Sequence, residues 1–118
     1  MTDPKELHFL LDSTGALIVF QETGSPWANV LAFSTENRAR EFIRQSKLEI
    51  AEIASIATGD GGEIAKLIRS VKPRAVRNLL LDLDYASGDC RAVEFEGDAL
   101  GIARDFRLSP RAHNARKA

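Results

Sequence analysis

The sequence predicts an α+β fold, a single domain whose mixed sheet of about five or six strands is covered by about two or three helices. Three observations carry this reading. Short apolar runs rich in β-branched residues alternate along the chain with segments of 3.6-residue periodicity, a mixture that strands and helices satisfy together. The composition, 44% hydrophobic and 28% charged, is that of an average globular chain rather than a disordered one. With 118 residues, no internal repeat and no Pro/Gly/Ser linker, the chain has material for one core, not two. Residues 1–110 are read as that domain, and 111–118, RAHNARKA, as a flexible basic tail.

Each element follows from its punctuation. Leu7 to Leu11 and Ala16 to Gln21 are apolar and joined by Asp12-Ser13-Thr14-Gly15, turn formers that predict a hairpin. Gly24-Ser25-Pro26 breaks the pattern, and Asn29 to Phe33 is a third strand, placed at an edge. Ser34 or Thr35 caps a helix with Glu36 in its first turn and Ala39, Phe42 and Ile43 as its buried stripe. Leu48 to Ile56 is read as a strand, although Ile50, Ile53, Ala54 and Ala57 also fit an extension of that helix. Asp60 and Glu63 stand at capping-box spacing before Ile64, Leu67, Ile68 and Val71, which predicts a second helix stopped by Pro73. Val76 to Leu83 is a largely buried strand, and Ala86-Ser87-Gly88-Asp89 returns the chain into Arg91 to Phe95, a second hairpin. Asp98 is expected to cap a last helix burying Ala99, Ile102, Ala103 and Phe106 and ending before Pro110.

Charge and targeting signals narrow the function classes. Sixteen Lys and Arg against seventeen Asp and Glu leave a net charge of −1, so no global field draws the chain to nucleic acid or to an anionic membrane. The expected partner is a protein or a second copy. The N-terminus lacks a basic start followed by an apolar run, and no stretch approaches the ~20 apolar residues of a membrane span, which predicts a cytoplasmic protein. Cys90 is the sole cysteine, so no disulfide forms within the chain, as suits a reducing compartment.

Few residues suggest chemistry. The Thr58 to Glu63 loop is glycine-rich at a helix start, yet no Lys-Ser/Thr pair follows and its two acids repel an anion, so self-capping explains it. Asp82 and Asp84, alternate residues ending an apolar strand, share a face there and with Asp89 form an alternative divalent-cation or small-molecule site. The same carboxylates also suit local turn capping. Cys90 has acidic neighbours in Asp89 and Glu94, and His8 and His113 lie at opposite ends of the chain, so no catalytic constellation forms around them. No enzyme activity and no cofactor are implied.

Two features suit binding instead. Lys66, Arg69 and Lys72 recur every third residue opposite the apolar stripe of the second helix, continued by Arg74 and Arg77, and form either a partner-binding stripe or a solvated face. The segment Asp82 to Asp98 holds six acids and one base, which polarises the chain along its length. Trp27 is either an exposed anchor or a lid on the core.

Leu17-Ile18-Val19-Phe20, then Val30-Leu31-Ala32-Phe33-Ser34-Thr35-Glu36 leading into a helix with Ala39 and Phe42, then Leu67-Ile68 and Leu79-Leu80-Leu81-Asp82, resemble in order the N-terminal domain of SseB-type proteins. The Gly59 to Gly62 loop departs from that pattern. The resemblance implies an accessory or regulatory binding role and brings no catalytic residue with it. Two functions therefore stand side by side: an interaction module using the basic stripe or an unpaired strand edge, and a ligand site around Asp82, Asp84 and Asp89.

Overall fold

In the computed structural model, which describes residues 4–21 and 26–108, the chain runs β1 (Glu6–Leu11), β2 (Val19–Gln21), β3 (Ala28–Phe33), α1 (Glu36–Ser46), β4 (Glu52–Ala57), α2 (Gly61–Val71), a 3₁₀ turn (Lys72–Arg74), β5 (Val76–Leu81), β6 (Asp89–Glu96) and β7 (Ala99–Arg107). The strands form one mixed sheet in the order β4-β1-β3-β5-β6-β7, with β2 also paired to β3. This is a single α+β domain of seven strands and two α-helices.

All six residues of β3 are buried. A strand apolar on both faces belongs inside a sheet that is covered on both sides, so β3 is central and not the edge its short length suggested. β1 and β2 share one of its flanks: β1 pairs through His8 and Phe9 with Phe33 and Ala32, and β2 then takes over with Val19, Phe20 and Gln21 against Val30, Asn29 and Ala28. Residues 10–18 are an excursion between them. It holds the expected turn, where Gly15 donates to the Asp12 carbonyl at 3.0 Å and Leu11 bridges Leu17, but β1 pairs mainly with β4 and β2 with β3 rather than with each other.

β3 and β5 run parallel, separated in sequence by α1, β4 and α2. Because β4 pairs antiparallel with β1, it points the same way as β3 and β5. One crossover leads outward from β3 to β4 and the next leads back to β5, and right-handed crossovers in opposite directions place their helices on opposite faces. Accordingly Ile64, Leu67, Ile68 and Val71 of α2 pack with Phe9, Val30, Leu79 and Val93, while Ala39 and Phe42 of α1 pack with Leu10, Leu31, Phe33 and Leu80. Successive residues of β3 and β5 alternate between these two cores.

Both helices start as their caps require. The Thr35 hydroxyl accepts from the Arg38 N–H at 3.1 Å, and the Asp60 carboxylate accepts from the Glu63 N–H at 3.1 Å. α1 closes at Lys47, whose left-handed φ of 58° stops the helical path, so the following apolar residues lead to β4 as a separate element.

The last segment corrects the sequence reading. Residues 99–107 are strand β7, not a helix capped by Asp98. Gly97, at φ 63°, and Asp98 are a two-residue hairpin link, since Glu96 pairs with Ala99 and Phe95 with Leu100. The register then shifts, because Val93 pairs with Ala103, so β7 uses three residues where β6 uses two. The extra residue is a bulge at Gly101-Ile102. It sets Leu100 and Ala103 three apart on the α2 side, and Phe106 lies against the α1 side, so a strand displays helical spacing. Ile102, expected in a core, is 86% exposed.

Gly88 and Gly15 have similar φ, +82° and +83°, but a Cβ on Gly88 would collide with the Leu108 carbonyl oxygen whereas one on Gly15 meets open space. Gly15→Ala is therefore expected to cost only the left-handed backbone term, about 1–2 kcal/mol, and Gly88→Ala that amount plus the displacement of Leu108, roughly 2–4 kcal/mol together. Urea unfolding of the two variants checks this, and equal losses would contradict the close approach.

Candidate functional site at the outer strand

Each acid at the carboxylate-rich end of β5 has a partner within the fold. β5 stops at Leu81 rather than Leu83, since Asp82 adopts a left-handed φ of 55°. There the Asp82 N–H continues the parallel ladder to the Ala32 carbonyl at 2.9 Å. Its two carboxylate oxygens accept from the Ser34 N–H and the Ser34 hydroxyl, each at 2.8 Å. Asp82 thus clamps the end of β5 to the junction between β3 and α1. Asp84 accepts from the Ala86 N–H at 2.9 Å and shapes the following turn, and Asp89 pairs with Arg107. The three carboxylates have three separate tasks, and among the described residues no group of three or more acidic, histidine or cysteine side chains is arranged to hold a metal ion. A crevice of about 290 Å³ lies beside Asp82 and Asp84, walled by Phe33, Phe42, Arg38 and Glu41.

The basic stripe is also engaged within the molecule. Lys66 pairs with Glu63 at 3.5 Å, Arg69 and Lys72 converge on Asp98 at 3.2 and 3.4 Å, and Arg74 donates to the Leu17 carbonyl at 2.8 Å. Arg77 stacks 4.5 Å above the Trp27 ring, which is 44% exposed and so does not seal the core. The acid-rich segment at Asp98 folds back onto the base-rich helix, so the polarity of the sequence is partly cancelled in space. Exposed pairs of this kind each contribute up to about 1 kcal/mol.

The remaining candidates are structural in their surroundings. Cys90 is buried against the α1 side. The His8 ring, also buried, hydrogen-bonds the Ser55 hydroxyl at 2.8 Å across the β1–β4 pair. His113, Arg116 and Lys117, with the whole 111–118 tail, lie outside the described residues. No helix among the described residues is long and apolar enough to cross a membrane.

What the sequence reading missed is the outer edge of β7. Among the described strands β7 pairs only with β6. Leu108 donates to the Gly88 carbonyl at 2.7 Å, so its backbone points toward β6. By the two-residue period, the backbone groups of Arg104 and Phe106 do the same, while those of Ala103, Asp105 and Arg107 point outward. Beside this edge, on the α2 side, a cleft of about 580 Å³ has Leu79, Leu81, Val93 and Ala103 on its floor and Ile102 and Thr58 among its walls. Ile102 thus stands exposed at this strand edge beside an apolar cleft. The signal that could have located it is Gly97-Asp98 between Phe95 and Leu100, a two-residue hairpin link. In comparisons with known proteins, no family model matches the chain and no curated protein matches it.

The clamp and the lowered carboxylates each lead to a measurable expectation. Asp82→Ala is expected to cost roughly 2–4 kcal/mol, because it strands the Ser34 N–H and removes two hydrogen bonds to a charged acceptor. Asp82→Asn, which keeps an acceptor and tolerates the left-handed backbone, should cost less than half of that in urea unfolding. The second expectation concerns acid. Asp12 is held below the usual aspartate range by the Thr14 hydroxyl, then by the Thr14 and Ala16 N–H groups and the nearby Arg74, and Asp89 chiefly by its hydrogen bond from Arg107. A carboxyl whose folded pKa is lowered binds fewer protons folded than unfolded. Its stabilisation is therefore full above the ordinary value of about 3.9 and is lost as pH falls through the lower folded value. Unfolding free energy measured from about pH 5 down to 2 should fall less steeply in Asp12→Asn than in the parent chain.

Proposed function

We propose that this chain is a non-catalytic interaction module that binds a protein partner by adding a strand to the outer edge of β7. The observation that carries the reading is that edge: a nine-residue strand, outermost among the described ones, with alternate backbone groups turned outward and Ile102 86% exposed on it. Strand addition draws its affinity from outward-facing main-chain groups and its selectivity from side-chain pockets beside them, and the adjoining apolar cleft supplies such a pocket. The resemblance to the SseB N-terminal domain supports the same class of role, accessory and without chemistry of its own. The basic residues of α2, each with a partner inside the chain, give less support to docking through the stripe.

Proline at an outward-facing edge position removes a donor from the free edge and leaves the inner ladder intact. Tagged full-length chain is expected to capture a defined set of proteins from native lysate, quantified by mass spectrometry. That set should be lost with Asp105→Pro and kept with the combined Lys66→Glu, Arg69→Glu and Lys72→Glu variant. The opposite pattern, with both variants folded by circular dichroism, would move the binding surface to α2.

A further inference from the structure

We infer that the strand the β7 edge accepts is β7 of a second copy of this chain, paired antiparallel about a twofold axis at Phe106. The inference rests on the edge-binding reading above and names its partner. Symmetry limits the registers sharply. Two identical antiparallel edge strands are related by a twofold axis normal to the sheet, so paired residues lie on the same face and are symmetric about one central residue. Centres at or before Ala103 run the pairing through the bulge at Gly101-Ile102. A centre at Arg104, Asp105 or Arg107 sets that charge directly against its own copy.

Within β7, a centre at Phe106 alone avoids both problems. It sets Asp105 opposite Arg107 of the second copy, twice by symmetry. Both positions carry outward-pointing backbone groups, so they form the hydrogen-bonded pairs of the new ladder. Phe106 then faces its own copy in the close, non-hydrogen-bonded position, where aromatic cross-strand pairs are favourable.

The charges already present extend the match. Within one chain Arg91 pairs in register with Asp105, and Asp89 with Arg107. Across the junction, one row of side chains on one face therefore reads Arg91, Asp105, Arg107, Asp89, the last two from the second copy. Sign alternates at every step, and the symmetry-related row does the same. No shift by one residue preserves this alternation, so the arrangement fixes register as well as partner.

Sedimentation velocity over a concentration series, with purified full-length chain and circular dichroism as the folding control, tests it. The parent chain is expected to show a monomer–dimer equilibrium. Asp105→Arg and Arg107→Asp should each weaken it by ~10-fold or more, since each sets like charges opposite each other twice. An equimolar mixture of the two variants should dimerise again, because one chain then carries two bases and the other two acids at the paired positions, so both pairs join opposite charges. The double variant carrying both changes should dimerise as well, with the two charges of each pair exchanged. Recovery in the mixture also demonstrates that both single variants fold with a competent edge. A parent chain that stays monomeric, or single variants that dimerise as the parent does, would overturn the inference. If the parent stays monomeric while Asp105→Pro still abolishes capture from lysate, the edge-binding reading stands and only the identity of the partner falls.

Discussion

Everything in this fold answers to β3, a strand buried on both faces. Such a strand cannot sit at a border or under a single layer, so the chain has to supply cover on each side. It does so with α1 and α2, placed on opposite faces by a crossover that runs out to β4 and back to β5. The parallel seam between β3 and β5 closes that path, and Asp82 secures its end by holding Ser34 through both the backbone and the hydroxyl. Phe42 fastens α1 over the same end, packed 5.3 Å from Phe33 and edge-on to Tyr85 at 5.9 Å, centroid to centroid.

Two helices of eleven residues each cannot cover seven strands evenly. α2 reaches the β6–β7 hairpin at Val93, Leu100 and Ala103, and the other end of that hairpin is finished with charge: Asp89 and Arg107 pair there, beside Arg91 and Asp105 in register. Edge strands ordinarily carry charge and bulges because an unpaired row of backbone groups is adhesive. Here the bulge disables the first half of β7 and leaves the second half regular. The interruption is thus confined to one part of the strand.

Local signals were the legible ones. The caps of α1 and α2, the apolar stripe of α2 and the turn at Asp12 to Gly15 depend on residues within one or two turns of each other, and the sequence displays them directly. What the sequence did not display depended on distance or on an exception to periodicity. Asp82 invited a ligand reading because its partner Ser34 lies 48 residues away. The basic stripe looked open because Asp98 reaches it from 26 and 29 residues further on. β7 read as a helix because one inserted residue turned an alternation of two into a spacing of three, which apolar periodicity by itself does not separate from a helical face. The strand character of β3 is visible in its apolar run, but its place in the sheet follows from tertiary cover, which its six residues do not encode by themselves.

The two-residue link at Gly97-Asp98 has a kinetic consequence. A hairpin with so short a connection forms on a scale of ~1–10 µs, whereas joining β3 to β5 requires closing a loop from Ala28 to Val76 and is slower by the entropy of that closure. Loop-closure entropy therefore favours the β6–β7 ribbon over the β3–β5 seam as the easier pairing to form first. The bulge at Gly101-Ile102 and the alternating charges beyond it interrupt the ribbon's outer flank, a feature that generally discourages indiscriminate edge-to-edge association.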